Sequence, residues 1–141
     1  MPIKSIFTAV EHAKTQIENL SVEALDAELD AARDLLLVDI RELQERVDLG
    51  TIPGAIHVPR GMLEFWADPA SPYYRDYFQE NRRIVVFCAA GGRSALAAQA
   101  LQDMGFTNVA HLEHGFAGWE NANRPVEDAS ATSRWVRRDR S

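Results

Sequence analysis

Near the start of the chain, Ile6, Val10, Ala13, Ile17 and Leu20 recur at alternating spacings of four and three, with Glu11, Lys14, Gln16 and Glu18 between them. That period puts the apolar residues on one stripe and predicts an amphipathic helix over 6–20, the body of an N-terminal helical segment 1–20. Ser21 then reads as the N-cap of a second helix running to about Arg33, with Glu23 in its first turn. Leu35-Leu36-Leu37-Val38 is an unbroken apolar run ended by Asp39, as in a strand buried on both faces. A charged helical stretch from about Arg41 to Leu49 leads into turn chemistry at Gly50–Gly54, and Ala55–Val58 reads as a strand stopped by Pro59. Residues 60–80 are irregular and aromatic, and within them Ser71-Pro72 has the form of a helix start. Ile84–Phe87 is the clearest buried strand. It runs into Cys88, a glycine-containing loop and a helix bearing Ala97, Leu101 and Met104 on one face and stopped at Gly105. Val109–Leu112 is a last strand, and Gly115–Trp119 turns the chain back over the domain. Strands alternating with helices imply an α/β fold with a mainly parallel central sheet flanked by helices on both faces.

Composition narrows this picture. The 141 residues fit one domain, and no repeat or long linker divides them. No apolar run reaches the ~18 residues of a membrane span, and the N-terminal residues lack the apolar core of a signal peptide. The single cysteine excludes an internal disulfide and points to the cytoplasm. A net charge of −6 argues against nucleic acid as a partner. Arg134, Arg137, Arg138 and Arg140 concentrate positive charge in a basic C-terminal tail, 128–141, read as a solvated end. His12, His57, His111 and His114 show no metal spacing, so neither a metal nor a cofactor is expected, and His57 and His111 read as structural. The sequence leaves the oligomeric state open, and the stripe at 6–20 is where a dimer contact would lie.

The chemistry is concentrated in Cys88-Ala89-Ala90-Gly91-Gly92-Arg93-Ser94. In an α/β sheet, ligands sit at the carboxyl ends of the strands, where Cys88 falls. Successive N–H groups of a tight loop can form a nest for an anion, and the helix starting near Arg93 adds its positive end. Gly91 and Gly92 let such a loop close. A free thiol titrates near ~8.5, and a helix N-terminus with a neighbouring arginine lowers that value. Cys88 therefore reads as a nucleophile. On its own, a cysteine ending an apolar strand is more often a small buried hydrophobe.

Read as C-x-x-G-x-R-S, the loop resembles the active-site loop of single-domain rhodaneses, the thiosulfate sulfurtransferase family. Val38-Asp39-Ile40-Arg41-Glu42 resembles that family's DVRE segment, Gly50–Ile56 its GHIPGA turn, and Leu112–Trp119 its closing LxGGFxxW signature. Together the four cover about 20–127 in the family's order and imply a rhodanese-like domain over 21–127. Thr51 stands where the family usually has His, and His114 where it often has Gly. The aromatic stretch is longer than in compact members and is expected to shape the mouth of the site. The resemblance implies that Cys88 takes sulfur from a donor such as thiosulfate as a persulfide. A thiol or cyanide then receives it, or a protein serves as donor or acceptor. It implies that Arg93 stabilises the sulfur, that Ala89, Ala90, Gly91, Gly92 and Ser94 bind substrate, and that Asp39 and Arg41 brace the sheet edge. Arg60 could reach the mouth of the site. Two other readings stand beside this one. A phosphatase or arsenate reductase would also use Cys and Arg around an anion, but with five intervening residues against the four here. A non-enzymatic binding or sulfur-relay module is the other.

Overall fold

A computed structural model describes residues 2–31 and 34–132. In chain order the elements are α1 (Ile6–Lys14), β1 (Glu18–Leu20), α2 (Val22–Asp30), β2 (Leu35–Asp39), α3 (Leu43–Leu49), β3 (Ile56–His57), α4 (Leu63–Ala67), β4 (Arg83–Phe87), α5 (Gly92–Met104), β5 (Val109–Leu112) and α6 (Gly115–Asn121). The strands form one sheet in the order β1-β5-β4-β2-β3, and every pairing is parallel. The expected α/β architecture is thus present.

The pleat of β4 divides the core. Ile84 and Val86 face a cluster with Leu36, Val38, Leu63, Ala97 and Leu101, so α4 and α5 cover that side. Val85 and Phe87 face Leu25, Leu37, Phe116 and Trp119, so α2 and α6 cover the other. Both faces of β2 and β4 are therefore dry, which is why their sequences are continuously apolar rather than alternating. Cys88, at the carboxyl end of β4, is 1% exposed and belongs to the α5 side.

The helix expected over 6–20 stops at Lys14, and Glu18–Leu20 is an edge strand paired with β5. One local contact and two tertiary ones override the helical period. The Asn19 amide nitrogen donates to the carbonyls of Lys14 and Ile17 at 2.9 and 3.2 Å. The Glu18 carboxylate accepts from Arg83 at 2.8 and 2.9 Å. Leu20 is buried in the face opposite α5. Only Ala13 of the stripe is buried on the helix itself, where α1 lies along α5.

No helix follows Ser71-Pro72. The Ser71 hydroxyl accepts from Tyr73 N at 3.0 Å and its carbonyl from Tyr74 N at 3.2 Å, which makes a turn. The aromatic segment joins the main core: Phe78 is buried there, with Trp66, Tyr74 and Tyr77 packed against it. After α6 the chain is tied back by the Thr51–Glu127 bridge and by Trp119 Nε1, which donates to the Pro125 carbonyl at 2.7 Å. The four arginines of the tail lie outside the described residues. Among the described residues no helix is long and apolar enough to cross a membrane.

Candidate active site

Two backbone features fold residues 88–94 into a cradle. Gly91 has φ +107°, and a Cβ there would lie 2.1 Å from the Glu113 carbonyl oxygen, so the loop needs glycine for both angle and space. Gly115, at φ +60°, brings α6 against the loop, where Phe116 N and Ala117 N donate to the carbonyls of Cys88 and Ala89 at 2.8 and 3.0 Å. Gly92 differs from expectation, because it is an ordinary helical residue at the start of α5.

Within the cradle, Gly91 N and Ser94 N donate to Cys88 Sγ at 3.2 and 3.4 Å. These N–H groups and the N-terminal end of the 13-residue α5 surround the sulfur with positive potential. The Cys88 thiol reaches Ser94 Oγ at 3.5 Å, and Ser94 Oγ lies 2.8 Å from His111 Nδ1. His111 Nε2 lies 2.7 Å from Asn19 Oδ1. Because the Asn19 amide nitrogen donates to Lys14 and Ile17, its oxygen is the acceptor and His111 Nε2 carries the proton. His111 Nδ1 then accepts from the Ser94 hydroxyl, whose lone pair is left for the Cys88 S–H. Burial pushes the His111 imidazole down to about 4, and Lys14 and His114 add to the effect. A neutral imidazole thus fixes Ser94, and through it the N–H that meets the sulfur.

Arg93 hydrogen-bonds to an acid beside the loop, while its charge still interacts with Cys88. Its two terminal nitrogens donate to Glu45 Oε1 and Oε2 at 2.7 and 3.0 Å, a fork-on-fork pair. Glu45 is held there by its own element, since Oε1 also accepts from Glu42 N at 3.1 Å in a capping box that opens α3. The Arg93 guanidinium keeps the Glu45 carboxyl below the usual carboxylate range, against the opposing effect of its own burial.

A cavity of about 320 Å³ opens over Cys88, lined by Ile6, Phe7 and Val10 of α1, by Ala89, Ala90, Gly92 and Arg93 of the loop, and by Leu96. The aromatic segment is not at its mouth. Tyr74 and Phe78 line a separate cavity of about 350 Å³ beside Met104 and Phe106, which holds no nucleophile.

The remaining residues expected at the site stand behind it. Asp39 and Arg41 are wholly buried and paired, with Arg41 Nε and Nη2 donating to Asp39 Oδ1 and Oδ2 at 2.9 and 2.7 Å. Arg41 also donates to the Gly50 carbonyl and lies over the Phe116 ring, 4.4 Å from its centre. Thr51 donates its hydroxyl to Asp39 Oδ2 at 2.9 Å, so this departure from the family pattern is absorbed into the same network. Arg60 pairs with Glu64 at 2.6 Å and does not line the cavity over Cys88. Among the described residues, no group of three His, Cys, Asp or Glu side chains gathers as a metal site would need.

Sequence reasoning passes over Glu45, Asn19 and the positioning role of His111. The spacing of Glu42 and Glu45 at a helix start signals a fixed acid, and a histidine inside an apolar strand signals a buried partner. Asn19 carries no such signal, because the helical period hides the strand it sits on.

The rhodanese-like domain family matches residues 21–122. The chain is 30% identical to YrkF of Bacillus subtilis over 105 residues, 74% of this chain, and spans 52% of that protein's length. It is 28% identical to a sulfurtransferase of Allochromatium vinosum over 110 residues, covering 78% of this chain and 94% of that one. Among solved structures, a Rhodopseudomonas palustris protein superposes with a TM-score of 0.84 at 44% identity, over 90% of this chain and 99% of that one. That protein is described as of unknown function and a possible tyrosine phosphatase.

Proposed function

The chain belongs to the rhodanese-like domain family, and from that premise we propose that it transfers sulfane sulfur through a persulfide on Cys88. The observation that carries the proposal is Cys88 Sγ on the floor of an open cavity, with the N–H groups of Gly91 and Ser94 directed at it. After the thiol proton is lost to solvent, the thiolate attacks the outer sulfur of a donor such as thiosulfate. A sulfur–sulfur bond forms to Cys88, and the bond to the sulfonate breaks with its electron pair leaving as sulfite. A thiolate or cyanide then attacks the terminal sulfur of the persulfide and restores the Cys88 thiolate. No external oxidant or reductant is needed, and the two half-reactions make the kinetics ping-pong. The loop N–H groups hold the negative sulfur at each stage. Sulfurtransferase relatives support this reading over a binding module, as does an intact cysteine loop.

The phosphatase description of the Rhodopseudomonas protein raises the alternative directly. A phosphate loop needs its arginine to fork onto the substrate, whereas the two terminal nitrogens of Arg93 fork onto Glu45. With four residues between Cys88 and Arg93, the loop suits a sulfur atom better than a tetrahedral oxyanion. The test is a pair of assays, thiocyanate formation from a sulfane donor and cyanide, and hydrolysis of an aryl phosphate. The proposal expects parallel double-reciprocal lines and complete loss of sulfur transfer in Cys88→Ser, with phosphate hydrolysis at background. Cys88-dependent hydrolysis of the aryl phosphate would overturn it.

A further inference from the structure

Helix α1 lies outside the part of the chain that matches the family, yet it forms one wall of the cavity over Cys88. Ile6, Phe7 and Val10 face the loop, and Leu96 of α5 closes the apolar side. The wall is fixed in place. Val10 Cγ2 comes within 3.8 Å of the position a Cβ on Gly92 would occupy, and Gln102 Nε2 donates to the Gln16 carbonyl at 3.0 Å just beyond the helix. Asn19 holds the last helical carbonyl, of Lys14, and is joined through His111 and Ser94 to the sulfur itself. Phe7 is 75% exposed and Ile6 56%, so the apolar surface is open to whatever enters.

Among the described residues lining the cavity, the one cation is Arg93, and its two terminal nitrogens each donate to Glu45, so its charge is already paired. Thiosulfate carries two negative charges. With its outer sulfur at Cys88, its sulfonate would face Ile6, Phe7, Val10 and Leu96 with the one lining cation already paired, and stripping water from an ion in such surroundings is unfavourable. A carrier with the same reactive sulfur on an apolar body loses less hydration and buries carbon against carbon. The cavity's 320 Å³ lies within the range that accepts a small organic molecule.

We propose that α1 makes this site select sulfane-sulfur carriers with an apolar body, of the aryl or alkyl thiosulfonate and persulfide class, over inorganic thiosulfate. The inference rests on sulfur transfer at Cys88. For a thiosulfonate, the Cys88 thiolate bonds to the outer sulfur, the sulfur–sulfonyl bond breaks, and the pair leaves on an organic sulfinate.

The test compares kcat/KM for benzenethiosulfonate and thiosulfate, with cyanide as acceptor, in wild type, Phe7→Ala and Phe7→Lys. The exposure of Phe7 makes both variants compatible with folding, which thermal melts would check. Because the two donors differ in intrinsic reactivity, the deciding quantity is the change in their ratio. The ratio falls about fivefold or more in Phe7→Ala as apolar contact is lost, and further in Phe7→Lys as a cation at the mouth favours the dianion. A ratio that stays constant across the three proteins overturns the selectivity while leaving sulfur transfer intact. If neither donor adds sulfur to Cys88, as read by intact mass, the underlying sulfur-transfer reading fails, and the selectivity with it.

Discussion

At the scale of the residue, the site is defined by how neighbours hold Cys88 more than by Cys88 alone. His111 shows the cost of that arrangement. Its folded value near 4 lies below its ordinary 6.5, so the unfolded chain binds a proton between those values that the folded chain excludes. Stability from the neutral imidazole is therefore complete above about pH 6.5 and is lost as pH falls towards about 4. Replacing His111 by Gln removes this titration. Urea denaturation at pH 7.5 and pH 4.5 is expected to show wild type losing up to about 3 kcal/mol more than the variant across that interval. Equal losses in the two proteins would mean that His111 ionises freely and does not anchor Ser94. The sequence discloses Cys88 and Ser94, because strand, cysteine, glycines and helix start follow one another. It does not disclose their partners, because Asn19 and His111 are 92 residues apart and meet only when β1 pairs with β5.

At the scale of the element, α3 and α5 are clamped across the site by Glu45 and Arg93. Arg93 is legible from the sequence as a site residue, but its role is a matter of tertiary pairing that periodicity cannot carry. If the pair acts as a brace for the start of α5, removing either partner has the same consequence. Arg93→Ala, Glu45→Ala and the double variant are each expected to lower kcat/KM by a similar factor of about 3–10, through loss of loop positioning. Each is also expected to lower stability by only about 0.5–1 kcal/mol, since the pair is partly exposed and screened. A direct catalytic charge on Arg93 would give a different pattern. Glu45→Ala would then free the guanidinium and raise activity towards thiosulfate, while Arg93→Ala alone would abolish it. The elements themselves were readable where burial on both sides fixes an apolar run, as in β2 and β4. They are hidden where a short edge strand continues a helical period, as Glu18–Leu20 does after α1. Arg83 decides that case, joining Glu18 to Glu28 and Asn108 at the amino edge of the sheet.

At the scale of the whole molecule, polar networks hold opposite ends of one parallel sheet. The Arg83 cluster gathers β1, α2 and β4 at the amino edge, whereas Asp39, Arg41 and Thr51 secure the carboxyl edge beneath the loop. Alternating strand and helix patterns were enough to foresee the layered parallel sheet and the placement of Cys88 at its carboxyl edge. The position of α1 was not foreseeable, because an amphipathic stripe says that a face is covered but not by what. The proposed sulfur transfer turns on one sulfur atom, Cys88 Sγ, held in a cradle of N–H groups at the floor of a cavity. Its most direct test is intact-protein mass spectrometry after incubation with benzenethiosulfonate or thiosulfate, before and after reductant, on wild type and Cys88→Ser. The account predicts a gain of one sulfur atom, about 32 Da, that reductant removes and that Cys88→Ser does not acquire. Unchanged wild-type mass with every donor, or the same gain in Cys88→Ser, would contradict it.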